Sequence, residues 1–247
     1  MDNKRLKKLE LLKKNKYRLL YSQFLIEGKR IVKTGFDCDC LVNKIYCTEK
    51  FYENNENWYV ENNIELPLIE IISKNQFKKI SFTKSPSGIA AVCKIPNHNK
   101  VKLEENKWIY LDRIRDPGNL GTIFRTAAWF GIKNIALSPE SVDPYNPKTI
   151  RAGMGAHFYL KIYKKVELNA FAKTHTLITT QIKGLNVSQF AFPKKYVIIF
   201  GNEAHGISLK NIKTTKNSIS IKKLGLGESL NISTSASIIM YIATAKN

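Results

Sequence analysis

The chain has 247 residues, enough for one large domain or two small ones, and its 43% hydrophobic and 11% aromatic content is ordinary for a protein that buries a core. Forty Lys and Arg against twenty Asp and Glu give a formal charge of +20 and a pI near 9.7, which favours a polyanionic partner because each neutralised phosphate releases counterions. No run approaches the ~18 apolar residues of a membrane span, and the basic start "MDNKRLKKLELLKKNKYRLL" lacks the apolar core of a signal peptide and carries Asp2 and Glu10. The plainer reading of the charge is a solvated lysine-rich surface in a composition also rich in Asn and Ile.

In chain order, Leu6, Leu9, Leu12, Leu19 and Leu20 mark an apolar side, so the first ~20 residues read as one helix. Short β-like runs follow at "FLIEG", "KIYCT", "LPLIEI" and "GIAAVCKI", separated by helix-compatible "GKRIVKTGF" and "SKNQFKKI". Between them, Cys38 and Cys40 form a Cys-x-Cys without a second pair; with Cys47 and Cys93 they fit buried or idle thiols of a reducing, cytoplasmic compartment, and no metal site. The polar "PNHNKVKLEENK", residues 96–107, has no apolar period and reads as a linker. It divides a domain over residues 1–98 from one over 104–247. The second alternates again, with strand-like "WIYLDRI", "KNIALS", "FYLKIY", "HTLITT", "YVIIF" and "SISI" between helical stretches, the pattern of an α/β fold with a mainly parallel sheet covered on both faces.

Three segments carry polar residues in places suited to chemistry. In "LDRIRDPGNLGTIFRTAAWFG", residues 111–131, turn chemistry leads to Asn119, a helix N-cap candidate. Leu120, Ile123, Phe124, Ala127 and Ala128 then form a buried stripe, and Gly121, Thr122, Arg125, Thr126 and Trp129 fall on the other side. Arg125 therefore projects from a face kept small, near a helix start that favours anions; a surface arginine paired with an acid is the alternative. In "VIIFGNEAHGIS" an apolar strand runs into Gly201, with Glu203 at the strand exit and Gly206 beyond, where a loop carboxylate facing solvent is the plain alternative. In "ISIKKLGLGESLNISTSASIIMYIATA" a glycine-bearing loop leads to Ser229, a natural N-cap, with Asn231 in the first turn; alone, this is a capped terminal helix. No dinucleotide fingerprint or P-loop is present, and His98, His157, His175 and His205 follow no catalytic pattern.

Taken together, "DPGNLGTIFRTA", "GNEAHG" and "SLNIS", in that order and spacing, closely resemble the three motifs of the SpoU (TrmH) family of RNA ribose 2′-O-methyltransferases in the SPOUT superfamily. "VDPYNPKTIRAGMGA" looks like the family's intervening segment, and "FLIEGKRIV" with "SPSGIAAV" resembles its N-terminal RNA-binding domain, similar to a ribosomal-protein fold. Gly153 stands where a serine is common and Lys222 where a proline is usual, and His205 occupies a position that varies. The resemblance implies a C-terminal domain closed by a deep trefoil knot, an exception to the rule against knotted chains, and a homodimer paired through the knot face with "SASIIMYIATA" in the interface. It implies S-adenosylmethionine held near Thr180, Gly201, Ile221 and Leu230, and a catalytic set of Asn119, Arg125, Glu203, Ser229 and Asn231, with no metal.

The expected reaction is methylation of a ribose hydroxyl in RNA, ribosomal RNA before transfer RNA, since a transfer-RNA enzyme of the superfamily usually lacks so distinct an N-terminal domain. A non-catalytic RNA-binding protein of ribosome assembly is the other class; the intact motif residues speak against it. A guanidinium is never deprotonated in proteins, so Arg125 is expected to clamp phosphate and stabilise a developing alkoxide rather than act as a base.

Overall fold

Leu6 and Leu9 are buried on α1 (Asn3–Leu11), whose first turn is capped by Asp2 Oδ1 accepting from Arg5 N at 2.8 Å. The computed structural model describes residues 1–38, 42–98 and 100–245. The expected single N-terminal helix is two, because the chain breaks after Leu12 and restarts as α2 (Asn15–Tyr21). Arg18 on α2 is buried and its Nη1 donates to Leu12 O at 2.7 Å, satisfying a carbonyl that α1 leaves open at its end.

The chain continues through β1 (Gln23–Glu27), α3 (Lys29–Asp37), β2 (Val42–Thr48), α4 (Glu49–Glu53), α5 (Glu56–Glu61), β3 (Ile69–Ile72), α6 (Lys74–Ile80) and β4 (Ile89–Lys94). It then runs through β5 (Lys107–Leu111), α7 (Pro117–Trp129), β6 (Asn134–Leu137), α8 (Pro147–Gly153), β7 (Lys161–Tyr163) and β8 (Thr176–Asn186). The last elements are β9 (Tyr196–Phe200), α9 (Leu209–Lys213), β10 (Asn217–Ser220) and α10 (Ile232–Ala245). The strand expected at "LPLIEI" begins only at Ile69, since Pro67 sits in a 3-10 turn at Leu66–Leu68.

Two compact units result. The first holds the described residues of 1–97 and, in addition, Tyr145–Phe158. Its sheet runs β1-β4-β2-β3, with β4 antiparallel to β1 and β2 and β2 parallel to β3, so it is mixed. Alternation along β1 sends Leu25 to a layer with Leu6, Leu9, Phe77 and Ile80, and Phe24 and Ile26 to the opposite layer with Ile31, Val32 and Trp58. Tyr145, Ile150 and Phe158 join that second layer, the Tyr145 ring centroid lying 4.8 Å from that of Phe24. The chain therefore does not divide into two consecutive blocks, 1–98 and 104–247; a stretch of the later half completes the core of the first unit.

The second unit, His98–Pro144 and the described residues from Tyr159 on, is built on a six-stranded sheet ordered β10-β8-β9-β5-β6-β7. All its pairings are parallel. β9 is buried at every residue and β5 at all but its first, as a sheet covered on both faces requires. The strands after β5 go to one side (β6, β7) and then to the other (β8, β9), so the order reverses beside β5, the place where open α/β sheets form a crevice at their carboxyl ends. The β8–β10 register jumps from Ser218 opposite Thr179 to Ile219 opposite Leu185, which takes residues 180–184 out of the ladder.

Among the described residues no helix is long and apolar enough to cross a membrane, and no cluster of three His, Cys, Asp or Glu could hold a metal ion. Cys40 lies outside the described residues.

Candidate active site

The loops that leave β5 and β9 are stitched together by side chains reaching backbone groups. Asp112, buried at 2% exposure, accepts from Ser208 N through Oδ2 at 2.7 Å, and Arg113 Nε faces its other oxygen at 3.5 Å. Burial first, and then the charge of Asp112, hold the Tyr110 hydroxyl well above its ordinary value. Arg113 has φ +57, left-handed for a residue with a side chain; Ser138 Oγ accepts from its N–H at 2.7 Å and Asn202 Nδ2 donates to its carbonyl at 2.8 Å. Asn202 Oδ1 also accepts from the N–H groups of Ala204 and His205, both at 3.0 Å, and its backbone bridges to Gly206. This turn folds residues 206–207 directly over Gly201, where a Cβ would lie 2.2 Å from Ile207 N. Only glycine fits there.

Glu203 projects from that turn toward the first loop. Its carboxylate accepts from Asn119 Nδ2 at 3.2 Å and faces the backbone N–H groups of Asp116 at 3.3 Å and Arg115 at 3.4 Å. Asp116, followed by Pro117, is the cap of α7, its Oδ1 accepting from Asn119 N at 2.7 Å. Asn119 is thus not the N-cap: the helix starts earlier, and the Asp-Pro pair was the signal for it. Arg125 consequently lies two turns into α7, beyond the first-turn reach of the helix dipole.

The third loop joins through Asn231, whose Nδ2 donates to Asn119 Oδ1 at 3.1 Å. Asn231 also caps α10: its Oδ1 accepts from Ser233 N at 2.8 Å and Ser233 Oγ at 2.6 Å, and its carbonyl from Ser235 N. That role was expected of Ser229, which instead lies exposed two residues earlier. Further along, Thr126 Oγ1 and Ser237 Oγ, 3.0 Å apart, tie α7 to α10.

Of the predicted residues, Asn119, Glu203 and Asn231 form one hydrogen-bonded chain. Arg125 stands exposed on α7 and makes no ion pair among the described residues. Gly121, placed on its face by spacing, is buried. Thr180 is half-buried and spends its hydroxyl on Ile199 O at 2.9 Å. Ile221 is half-buried directly after β10, and Leu230 is half-exposed before Asn231. Asp112 and Asn202, which hold the loops in place, were missed; the Asn-x-x-x-Gly turn after an apolar strand was a usable signal for the second. Among the described residues, the assembled loops present a carboxylate fixed by amides, an unpaired guanidinium on the adjoining helix and an exposed glycine-bearing segment.

The family model for the SpoU rRNA methylase family matches residues 106–241, and one for the MRM3-like substrate binding domain matches residues 3–91. The 23S rRNA (guanosine(2553)-2′-O)-methyltransferase RlmP of Bacillus subtilis is 27% identical over 245 residues, 97% of this chain and 95% of that one. The SpoU methyltransferase AviRb of Streptomyces viridochromogenes, solved in complex with AdoMet, overlays with a TM-score of 0.87 at 21% identity, covering 99% of this chain and 98% of its own. A structure described as giving insight into 2-OH methylation of C/U34 on tRNA covers 57% of this chain and 95% of its own, at 21% identity and a TM-score of 0.52. With the family model spanning more than half of its residues, the chain belongs to the SpoU rRNA methylase family.

Proposed function

We propose that the chain is an S-adenosylmethionine-dependent RNA ribose 2′-O-methyltransferase acting on ribosomal RNA. The observation that carries the reading is the chain Glu203–Asn119–Asn231, which brings the three motif loops together at the start of the helix that carries exposed Arg125, in a member of this family. Ribosomal RNA is favoured over transfer RNA because the relative RlmP, matched along nearly its whole length, is named for 23S rRNA. The structure associated with tRNA leaves about two fifths of this chain uncovered.

The cofactor-side residues fit a nucleoside with a sulfonium side chain. The loop between Ile221 and Asn231 offers backbone groups and the exposed apolar side chains of Leu224, Leu226 and Leu230, and a Cβ at Gly225 or Gly227 would meet nothing within 4 Å. When bound, S-adenosylmethionine supplies an electrophilic methyl group. Arg125 presents a permanently charged fork to the phosphate beside the target ribose and stabilises the oxygen as its proton leaves. The proton passes to a phosphate oxygen or water. Asn119 orients this substrate end, held by Glu203 on one side and Asn231 on the other. Ser229, exposed before the cap, contacts substrate or cofactor from the same loop.

On this reading the first unit grips RNA and the second holds the cofactor. The last elements thread a trefoil knot, a path supported by the return of Asn231 to the first loop of the sheet. Two copies pair through α7 and α10, where Trp129 and Tyr241 stand 84% and 59% exposed. Mapping ribose methylation across total RNA with and without the protein tests the activity: one protein-dependent 2′-O-methyl in ribosomal RNA is expected. A mark confined to transfer RNA moves the substrate, and no mark in either favours the assembly-factor alternative. Light scattering tests the dimer, which a stable monomer at micromolar concentration contradicts.

A further inference from the structure

A cleft of about 110 Å³ in the first unit has apolar walls formed by Leu25, Ile31, Phe82, Pro147 and Ile150. Its one acid, Glu27, is committed to the protein itself. Oε2 accepts from Phe82 N at 3.0 Å, Oε1 faces Thr83 Oγ1 and Ser87 N at 3.2 Å, and Ser81 Oγ lies 2.9 Å from both oxygens. The carboxylate is thereby turned toward the 81–87 loop, which it holds in place as part of the lining. Lys148 and Arg151 complete the lining; both are exposed, and neither makes an ion pair among the described residues. The sequence from Ile71 to Asn97 adds five lysines and no acid.

Apolar walls with an aromatic ring beside an unspent guanidinium and ammonium complement one chemical object, a nucleotide. The base takes the walls and the phosphate takes the cations. A free anion would leave the walls unfilled, and an apolar side chain of another protein would leave both cations unpartnered. We infer that this cleft seats a single unstacked nucleotide of the RNA, its phosphate on Arg151 and Lys148. The inference rests on the RNA reading above and extends it. Residues 147–151 fall outside the stretch matched as a substrate binding domain, so RNA recognition draws on the segment that the later half of the chain lends to the first unit.

The test is methyl NMR on the full-length protein, following Ile31 and Ile150 while adding uridine or guanosine 5′-monophosphate, with inorganic phosphate as the comparison. The mononucleotides are expected to shift both methyl signals and phosphate to leave them in place. Combining Lys148→Ala with Arg151→Ala should weaken nucleotide binding about tenfold or more, as loss of charge-assisted contacts does. It should also lower the salt slope for single-stranded RNA by about 0.7, the release from one phosphate. A control pair, Lys173→Ala with Lys194→Ala, removes the same charge from exposed positions of the second unit, outside the lining, and should change neither shift nor slope. Shifts with phosphate alone, shifts with none of the three, or an equal loss in the control pair overturns the inference. Methylation of ribosomal RNA by the same preparation reports separately on the activity. If methylation persists while the cleft stays silent, only this inference falls; cleft shifts without methylation remove the activity and leave the nucleotide seat.

Discussion

Asn231 Nδ2 donates to Asn119 Oδ1 at 3.1 Å, so the residue that opens the last helix completes an amide relay begun 28 residues earlier at Glu203. The direction of the relay is determined by its ends. An ionised Glu203 can only accept, so Asn119 must turn its NH₂ toward it and its oxygen toward Asn231, whose own oxygen is taken by Ser233. Each group has one workable orientation, and such chains polarise cooperatively.

Asn119→Asp tests this directly. The substitution keeps the shape, removes the donor to Glu203 and sets two carboxylates against each other. Turnover should fall at least about tenfold, as loss of a hydrogen bond to a charged group implies. The melting temperature should drop at pH 8 and recover toward wild type near pH 5, where the pair can share a proton. An unchanged melting temperature at pH 8 contradicts the relay.

Much of this fold was readable because parallel strands buried on both faces leave unbroken apolar runs. "YVIIF" is β9 from end to end and "KNIALS" contains β6, whereas "SISI" starts one residue inside β10, which opens at Asn217. The cap assignments failed for a local reason. Asn119 and Ser229 are good caps by type, but Asp116 and Asn231 have the backbone position, and residue type alone does not choose among neighbouring candidates. The placement of Tyr145–Phe158 was illegible for a different reason. Its apolar residues are few and carry no period, and they pack in the layer formed by Phe24, Val32 and their neighbours, a surface that the sequence of the segment does not reveal. In the site, the glycine at 201 and the acid at 203 could be picked out. The meeting of Glu203 with Asn119 is a contact across 84 positions and is decided by sheet order.

Gly201→Ala is predicted to be among the most damaging single-methyl changes in the second unit. The added Cβ would lie 2.2 Å from Ile207 N and 2.3 Å from Gly206 C, and both are backbone that cannot rotate away. The cost should reach the upper end for overpacking, about 3 kcal/mol, read by denaturant midpoint. Gly225→Ala, in open space, should cost under about 1 kcal/mol, the ordinary range for surface changes. Equal stability of the two variants would show that the turn over Gly201 is not rigid.

His98 predicts a pH dependence of the second unit. Burial, and then the charges of Lys161 and Lys102, lower its pKa from 6.5, with the ring against Tyr163 at 5.3 Å between centroids. The unfolded chain therefore takes up this proton at a higher pH than the folded one, and stability is present above 6.5 and lost as pH falls below it. Asp2 and Glu105, whose pKa values are lowered from 3.8 and 4.5, contribute in a separate and more acidic window. Denaturant midpoints at pH 7.5 and 5.5 should differ for the wild type and converge for His98→Phe; a variant that retains the full difference assigns it elsewhere.

Arg125 carries the chemical claim. It is exposed on α7, away from the core, so Arg125→Ala should leave the fold and the S-adenosylmethionine affinity nearly unchanged. Turnover should fall by about 10²–10³, the usual consequence of losing one preorganised electrostatic donor. Arg125→Lys should restore little, because an ammonium cannot reproduce the planar two-pronged contact with phosphate. RNA with a 2′-deoxy target nucleotide should bind the wild type and accept no methyl group, since the acceptor oxygen is missing. A fully active Arg125→Lys enzyme rules out the bidentate clamp, and methylation of the deoxy substrate on its base rules out the ribose as acceptor.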